Sequence, residues 1–231
     1  MRRTVLVTMA LAQAGCNDFA TPAELTAPTV VGIIAEPPVV RRGASTVLTP
    51  LIASPEGPLA PAGARWTLAE TLPGVPPFGQ LTARADGSVS YRAPEVLPEL
   101  PPNAPPLDSV QLELTLDGRA TATLKAVLVA DVTTQNPTIT ELAADGVALS
   151  AAEDATLEVA AGAQIALSVT TSPSAGASAR FAWYASLGTV EDYQSSSCTF
   201  VAGDPGAGWL FVVVRDGQLG VAWRAVRLVV K

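Results

Sequence analysis

From residue 28 onward the sequence repeats itself with a period near 100 residues. This restricts the chain to architectures that a unit of roughly that length can close by itself. PTVVGI at 28–33 corresponds to PTITEL at 137–142, and GASTVLTPLIA from Gly43 corresponds to GAQIALSVTTS from Gly162. Trp66 in ARWTLA matches Trp183 in FAWYAS, GQL at 79–81 matches GTV at 188–190, and YRAP at 91–94 matches FVAG at 200–203. LTLDGRATATLKAVLV and VVRDGQLGVAWRAVRLV close the two copies and align Asp117-Gly118 with Asp216-Gly217. The order never changes. The extra length of the first copy lies in ETLPGVPP and EVLPELPPNAPP, both Pro-rich and therefore read as loops.

Twenty prolines and eighteen glycines interrupt the chain too often for long helices. The Val-, Thr- and Leu-rich runs between them suit short strands, about seven per copy at roughly 8–12-residue spacing, which is the pattern of a β-sandwich. Alternation such as Ile165, Leu167, Val169 gives a strand one apolar face to bury against a second sheet. Asp-Gly between the last two strands of each copy is a strong hairpin signal, because such turns need positive φ. The expected fold class is all-β: two tandem immunoglobulin-like β-sandwiches after an N-terminal signal peptide. The expected divisions are a signal peptide over 1–15, a lipidated flexible stalk over 16–27, a first sandwich over 28–131, a linker over 132–137 and a second sandwich over 138–231.

FGQLTARADGSVSYRAPEVLP and the hairpin after it resemble tandem bacterial Ig-like surface domains, whose signature runs Gly-x-Leu/Ile, Gly, Tyr-x-Ala-Pro. GWLFVVVRDGQLGVAW resembles PKD-type sandwiches that end in a Val-rich strand, Asp-Gly and Gly. The resemblance spans residues 28–231 and implies fold and turn chemistry, with no substrate attached.

Met1-Arg2-Arg3 followed by TVLVTMALA has the basic and apolar regions of a signal peptide and is too short to span a bilayer. Ala14-Gly15-Cys16 resembles the lipobox of bacterial lipoproteins, in which the cysteine is acylated and becomes the mature N-terminus. Gln13 stands where that family carries an aliphatic residue. The resemblance implies lipidation at Cys16 and a lipid bilayer as partner, since two or three acyl chains anchor durably. The alternative is ordinary cleavage after Ala12-Gln13-Ala14, which leaves Cys16 a thiol able to pair with Cys198.

The formal net charge of −7 makes nucleic acid an unsuitable partner. The chain has no histidine, which removes Ser-His-Asp and Cys-His catalysis, His-based zinc sites and HExxH together. Phosphate-binding Gly loops are missing too. Glu153-Asp154 and Glu191-Asp192 are adjacent carboxylates that strands would point to opposite faces, and they read as solvated charge. Asp131, Asn136, Glu153 and Asp154 lie near the domain junction, where calcium could bind, but without a recognised ligand spacing.

Cys198 aligns with Val89 and reads as a small core residue. Trp66 and Trp183, in the third strand of each copy, read as core. Trp209 and Trp223 have no aromatic counterparts in the first copy. They read either as core or as an exposed surface for glycan or protein contact.

These readings converge on a non-catalytic cell-envelope lipoprotein without cofactors. It would be exported, lipid-anchored at the outer membrane, periplasmic or surface-facing, and would act as a binding or spacer module. The Pro-rich loops at 72–77 and 97–106 are its candidate recognition tips. The competing expectations are an accessory subunit of an envelope secretion or export assembly, a simply secreted adhesion or glycan-binding protein, and a secreted hydrolase with an acidic pair.

Overall fold

The computed structural model describes residues 22–71, 74–152 and 155–231. The expected signal peptide, Cys16 and the Glu153-Asp154 pair lie outside these. The described residues form 18 strands and no helix, so the fold is all-β. No helix among them is long and apolar enough to cross a membrane.

The first copy contains β1 (Thr29–Glu36), β2 (Val39–Arg41), β3 (Ser45–Ser54), β4 (Gly57–Leu59), β5 (Arg65–Ala69), β6 (Gln80–Ala83), β7 (Val89–Arg92), β8 (Leu107–Leu116) and β9 (Arg119–Ala130). The second contains β10 (Thr138–Ala144), β11 (Val147–Ala148), β12 (Thr156–Val159), β13 (Gln164–Ser172), β14 (Arg180–Ala185), β15 (Thr189–Glu191), β16 (Ser197–Val201), β17 (Gly206–Arg215) and β18 (Val221–Val230). Each copy folds into two sheets. In the first they run β1-β3-β7-β6, with β4 added to β3, and β2-β9-β8-β5. In the second they run β11-β10-β13-β16-β15 and β12-β18-β17-β14. Apart from the short β4 and β11, which join β3 and β10 respectively, the orders match strand for strand, and this is the arrangement of an immunoglobulin-like sandwich. Beyond the seven expected strands each copy has two short ones. One of them (β2 or β12) pairs parallel with the last strand of its copy.

Alternation sets the two cores. Ile33, Leu48, Ile52, Val89, Leu112 and Val127 point between the sheets of the first sandwich. Leu142, Leu167, Trp183, Phe200, Leu210 and Leu228 do the same in the second. Trp183 is buried in its core and Trp66 packs against its own. The Trp183 indole N–H donates to Ser195 O at 2.8 Å, and that of Trp66 to Gly87 O at 3.0 Å. Cys198 packs in the second core as a free thiol, and burial pushes it up to about 12.

The Gly-x-Leu and Tyr-x-Ala-Pro signatures of the first copy meet in space. A Cβ on Gly79 would lie 2.2 Å from the Tyr91 ring, so only glycine lets that ring close over the backbone. The Tyr91 hydroxyl then donates to Asp108 at 2.8 Å. The buried Asp108 carboxylate also accepts from the N–H groups of Phe78 and Gly79. Burial, with the Asp108 charge behind it, pushes the Tyr91 phenol up. In the second copy Phe200 and Ala207 fill the Tyr91 and Asp108 places, so the hydroxyl and its acceptor are absent together.

The two hairpins differ. Asp117-Gly118 is a two-residue turn with positive φ at both positions, as the sequence suggests. At the matching place in the second copy β17 and β18 are joined by five residues, Asp216 to Gly220. The Asp216 carboxylate folds this loop by accepting from Gln218 N at 2.6 Å and Gly220 N at 2.9 Å.

Candidate functional site

A third apolar cluster belongs to neither sandwich core. Val31, Leu51 and Ala53 from the first copy meet Phe211, Val213 and Val221 from the second, with Ile34, Tyr184, Trp209 and Trp223 around them. The period-2 geometry of strands explains it. In β17, Leu210, Val212 and Val214 face their own core, while Trp209, Phe211 and Val213 face the other domain. In β3, Leu48 and Ile52 face inward and Leu51 and Ala53 outward. Strands buried on both faces read as continuous apolar runs. LFVVV at 210–214 and PLIA at 50–53 are such runs, and they are the sequence signal from which this junction could have been found.

In β1 a bulge lets one strand serve both faces. Val30 pairs with Ile52 and Gly32 with Leu51, leaving Val31 as the extra residue. Val31 and Ile34 thus reach the junction while Ile33 and Ala35 stay in the core. Arg215, on β17, donates to the carbonyl of the bulged Val31 at 2.5 Å.

Trp209, Phe211 and Trp223 form a stack across β17 and β18. Ring centroids lie 6.3 Å apart for Trp209–Phe211 and 6.1 Å for Phe211–Trp223. Phe211 is fully buried and the tryptophans are half-buried. Of the two readings of Trp209 and Trp223, the contacts match packing, but between the domains and not inside one. Gly57, at the turn between β3 and β4, seats directly on the Trp209 ring: a Cβ there would come within 2.9 Å of it.

Polar groups tie the domains at three further points. Asn136, in the connection between β9 and β10, donates to Ala35 O at 2.7 Å and accepts from Val221 N at 2.8 Å. Lys125, on β9, donates to Leu219 O in the β17–β18 loop at 2.6 Å. The segment before β1 crosses to the second domain, where Ala23 O accepts from Ala185 N at 2.9 Å and Leu25 N donates to Ala185 O at 2.8 Å. Ala23 and Leu25 are buried there. Residues 23–25, expected within a flexible stalk, are therefore bound to the end of β14. Composition misled here, because two backbone hydrogen bonds and two small buried side chains dock a polar, Pro-containing segment.

The other expected sites are not assembled. Asp131 pairs with Arg42 at 3.3 Å on the surface, and Asn136 is spent on the junction. Among the described residues no group of three or more His, Cys, Asp or Glu could hold a metal. Glu191 and Asp192 are both exposed. The loop over 97–106 is largely exposed, with Leu97 packed onto the first core.

No protein-family model matches the chain, and no curated protein is similar to it. Among solved structures, it is similar to the N-terminal Ig1-2 module of the Drosophila receptor protein tyrosine phosphatase DLAR, at 12% identity over 89% of this chain and 99% of that one, with a TM-score of 0.32. It is also similar to the fibronectin(III)-like modules of Clostridium thermocellum CbhA, at 15% identity over 88% of this chain and 94% of that one, TM-score 0.30. The D00-D0 domain of intimin matches at 13% identity over 88% of this chain and 98% of that one, TM-score 0.29. The fold assignment itself rests on the strand orders given above.

Proposed function

We propose that this chain is a non-catalytic cell-envelope lipoprotein, anchored through acylated Cys16, that presents its two Ig-like domains as one rigid binding or spacer module. The observation that carries this reading is the junction: an apolar cluster with cross-domain hydrogen bonds on several sides fixes the loops of both domains relative to each other. Binding surfaces on such a body need little ordering when a partner docks.

The docked N-terminal segment changes how the anchor would act. Ala23 is held on the second domain, so only the seven residue steps from Cys16 to Ala23 could span the gap to the bilayer. Their extended length is at most about 25 Å. A lipidated Cys16 would therefore hold the pair against the membrane surface.

Intact mass of the mature protein from a bacterial host, compared with Cys16→Ala, tests the anchor. A diacylglycerol or triacyl increment present in the first and missing from the second is the expected result. An unmodified mass that begins before Cys16 would make the chain a simply secreted protein.

A further inference from the structure

The domain junction opens on one side into a cleft of about 460 Å³ lined by Lys125 from the first domain and by Arg180 and Arg215 from the second, with Leu124 and the Gly217–Gly220 part of the β17–β18 loop around them. Three cations converge here in a chain whose formal net charge is −7. Arg180 and Arg215 are direct cross-strand partners in β14 and β17, a placement in which like charges repel. Lys125 is 8% exposed, and its one protein acceptor among the described residues is the Leu219 carbonyl. An ammonium has three donors, so two of its N–H groups are left over in a desolvated place. Arg215 and Arg180 also bond only to backbone carbonyls. Among the described residues no carboxylate lies within ion-pair distance of any of the three. Asp216, the acid whose charge acts on Lys125, has its carboxylate engaged by the loop N–H groups.

Burying or opposing like charges costs stability unless something of opposite sign joins them. We infer that this cleft binds the oxyanion group, carboxylate or phosphate, of a small organic ligand held between Lys125, Arg215 and Arg180. The cleft has the size of a small-molecule site, larger than a bare anion needs. Guanidinium groups at its wall and mouth suit two-point contact with planar or tetrahedral oxyanions, and the spare ammonium donors suit a third oxygen. Leu124, 62% exposed beside them, offers apolar contact to the rest of such a ligand.

The test is an NMR titration of the full chain at low salt, with sodium phosphate and sodium succinate as separate probes. At least one probe should saturate at one per chain with Kd below about 10 mM. Lys125→Met should weaken that binding about tenfold or more, and Arg180→Gln, at an exposed residue the fold does not need, by several-fold. Arg42→Gln, outside the cleft, should leave it unchanged. Saturation by phosphate alone assigns a phosphate ester, by succinate alone a carboxylate, and by both their shared geometry. No saturation by either probe overturns the inference. So does binding that Lys125→Met and Arg180→Gln leave as it was.

Discussion

Phe211→Ala separates the junction from the domain cores more cleanly than any other single change. Phe211 is fully buried, but outside its own sandwich core: it lies between Trp209 and Trp223 and in one cluster with Leu51 and Ala53 of the other domain. Truncating a buried phenylalanine costs about 3–5 kcal/mol. Here the low end applies, because half-buried tryptophans on both sides can relax into the space, so the expected loss is about 3 kcal/mol. For a chain of this length that corresponds to a fall in midpoint of roughly 6–12 °C. Its neighbour Leu210 faces the second core and is equally buried, so Leu210→Ala has a similar cost by a different route. Urea unfolding distinguishes them. The wild type and Leu210→Ala should unfold in one transition whose slope reflects the whole pair. Phe211→Ala should divide into two transitions of smaller slope, because slope scales with the surface exposed in each step. A Phe211→Ala chain that keeps a single transition of undiminished slope would refute the reading of the junction as what couples the domains.

Two further substitutions report on the buried polar groups. Asp108→Ala strands the Phe78 and Gly79 N–H groups and the Tyr91 hydroxyl, and should cost about 3 kcal/mol or more, whereas Tyr91→Phe removes one donor and should cost about 1 kcal/mol; equal losses in chemical denaturation would show that the carboxylate is not the hub. Burial depresses Lys125 from 10.5 to about 8, Asp216 opposing and Arg215 reinforcing the shift. Below pH 8 folded and unfolded chains both carry this proton and the folded state bears the whole penalty. Between pH 8 and 10.5 the unfolded chain holds a proton that the folded chain has lost, so stability rises with pH through that window, by about 3 kcal/mol at most. Lys125→Met should abolish this rise, and stability profiles that stay parallel from pH 7 to 10.5 would contradict it.

The architecture of each domain was legible because its signals are local. Asp117-Gly118, the alternation at Ile165, Leu167 and Val169, and the matched Trp66 and Trp183 each depend on residues within one copy. The junction depends on pairs such as Val31 and Arg215, 184 residues apart, which no periodicity links. Trp209 and Trp223 illustrate the difference. The first copy has no aromatic at their positions, which sets them apart, but a strand pattern says only that a side chain leaves its own core, not what waits on the other side. The cationic cleft was hidden for the same reason. Arg180, Arg215 and Lys125 lie far apart in the chain, and only the Asp216–Gly220 loop, longer than the expected hairpin turn, brings Leu219 to Lys125.

The crossing of Ala23 and Leu25 onto Ala185 also sets a timetable. A chain synthesised from its N-terminus has all of β1 to β9 available while the second domain is still missing. The first sandwich can close during that interval, but Val31, Leu51 and Ala53 stay uncovered and the segment before β1 has nowhere to dock. Val221, at the start of β18, is the last buried residue of that cover to be made. The newborn protein thus passes through a stage in which an apolar strip lies beside the undocked segment before β1, and synthesis of β17 and β18 is what ends that exposure.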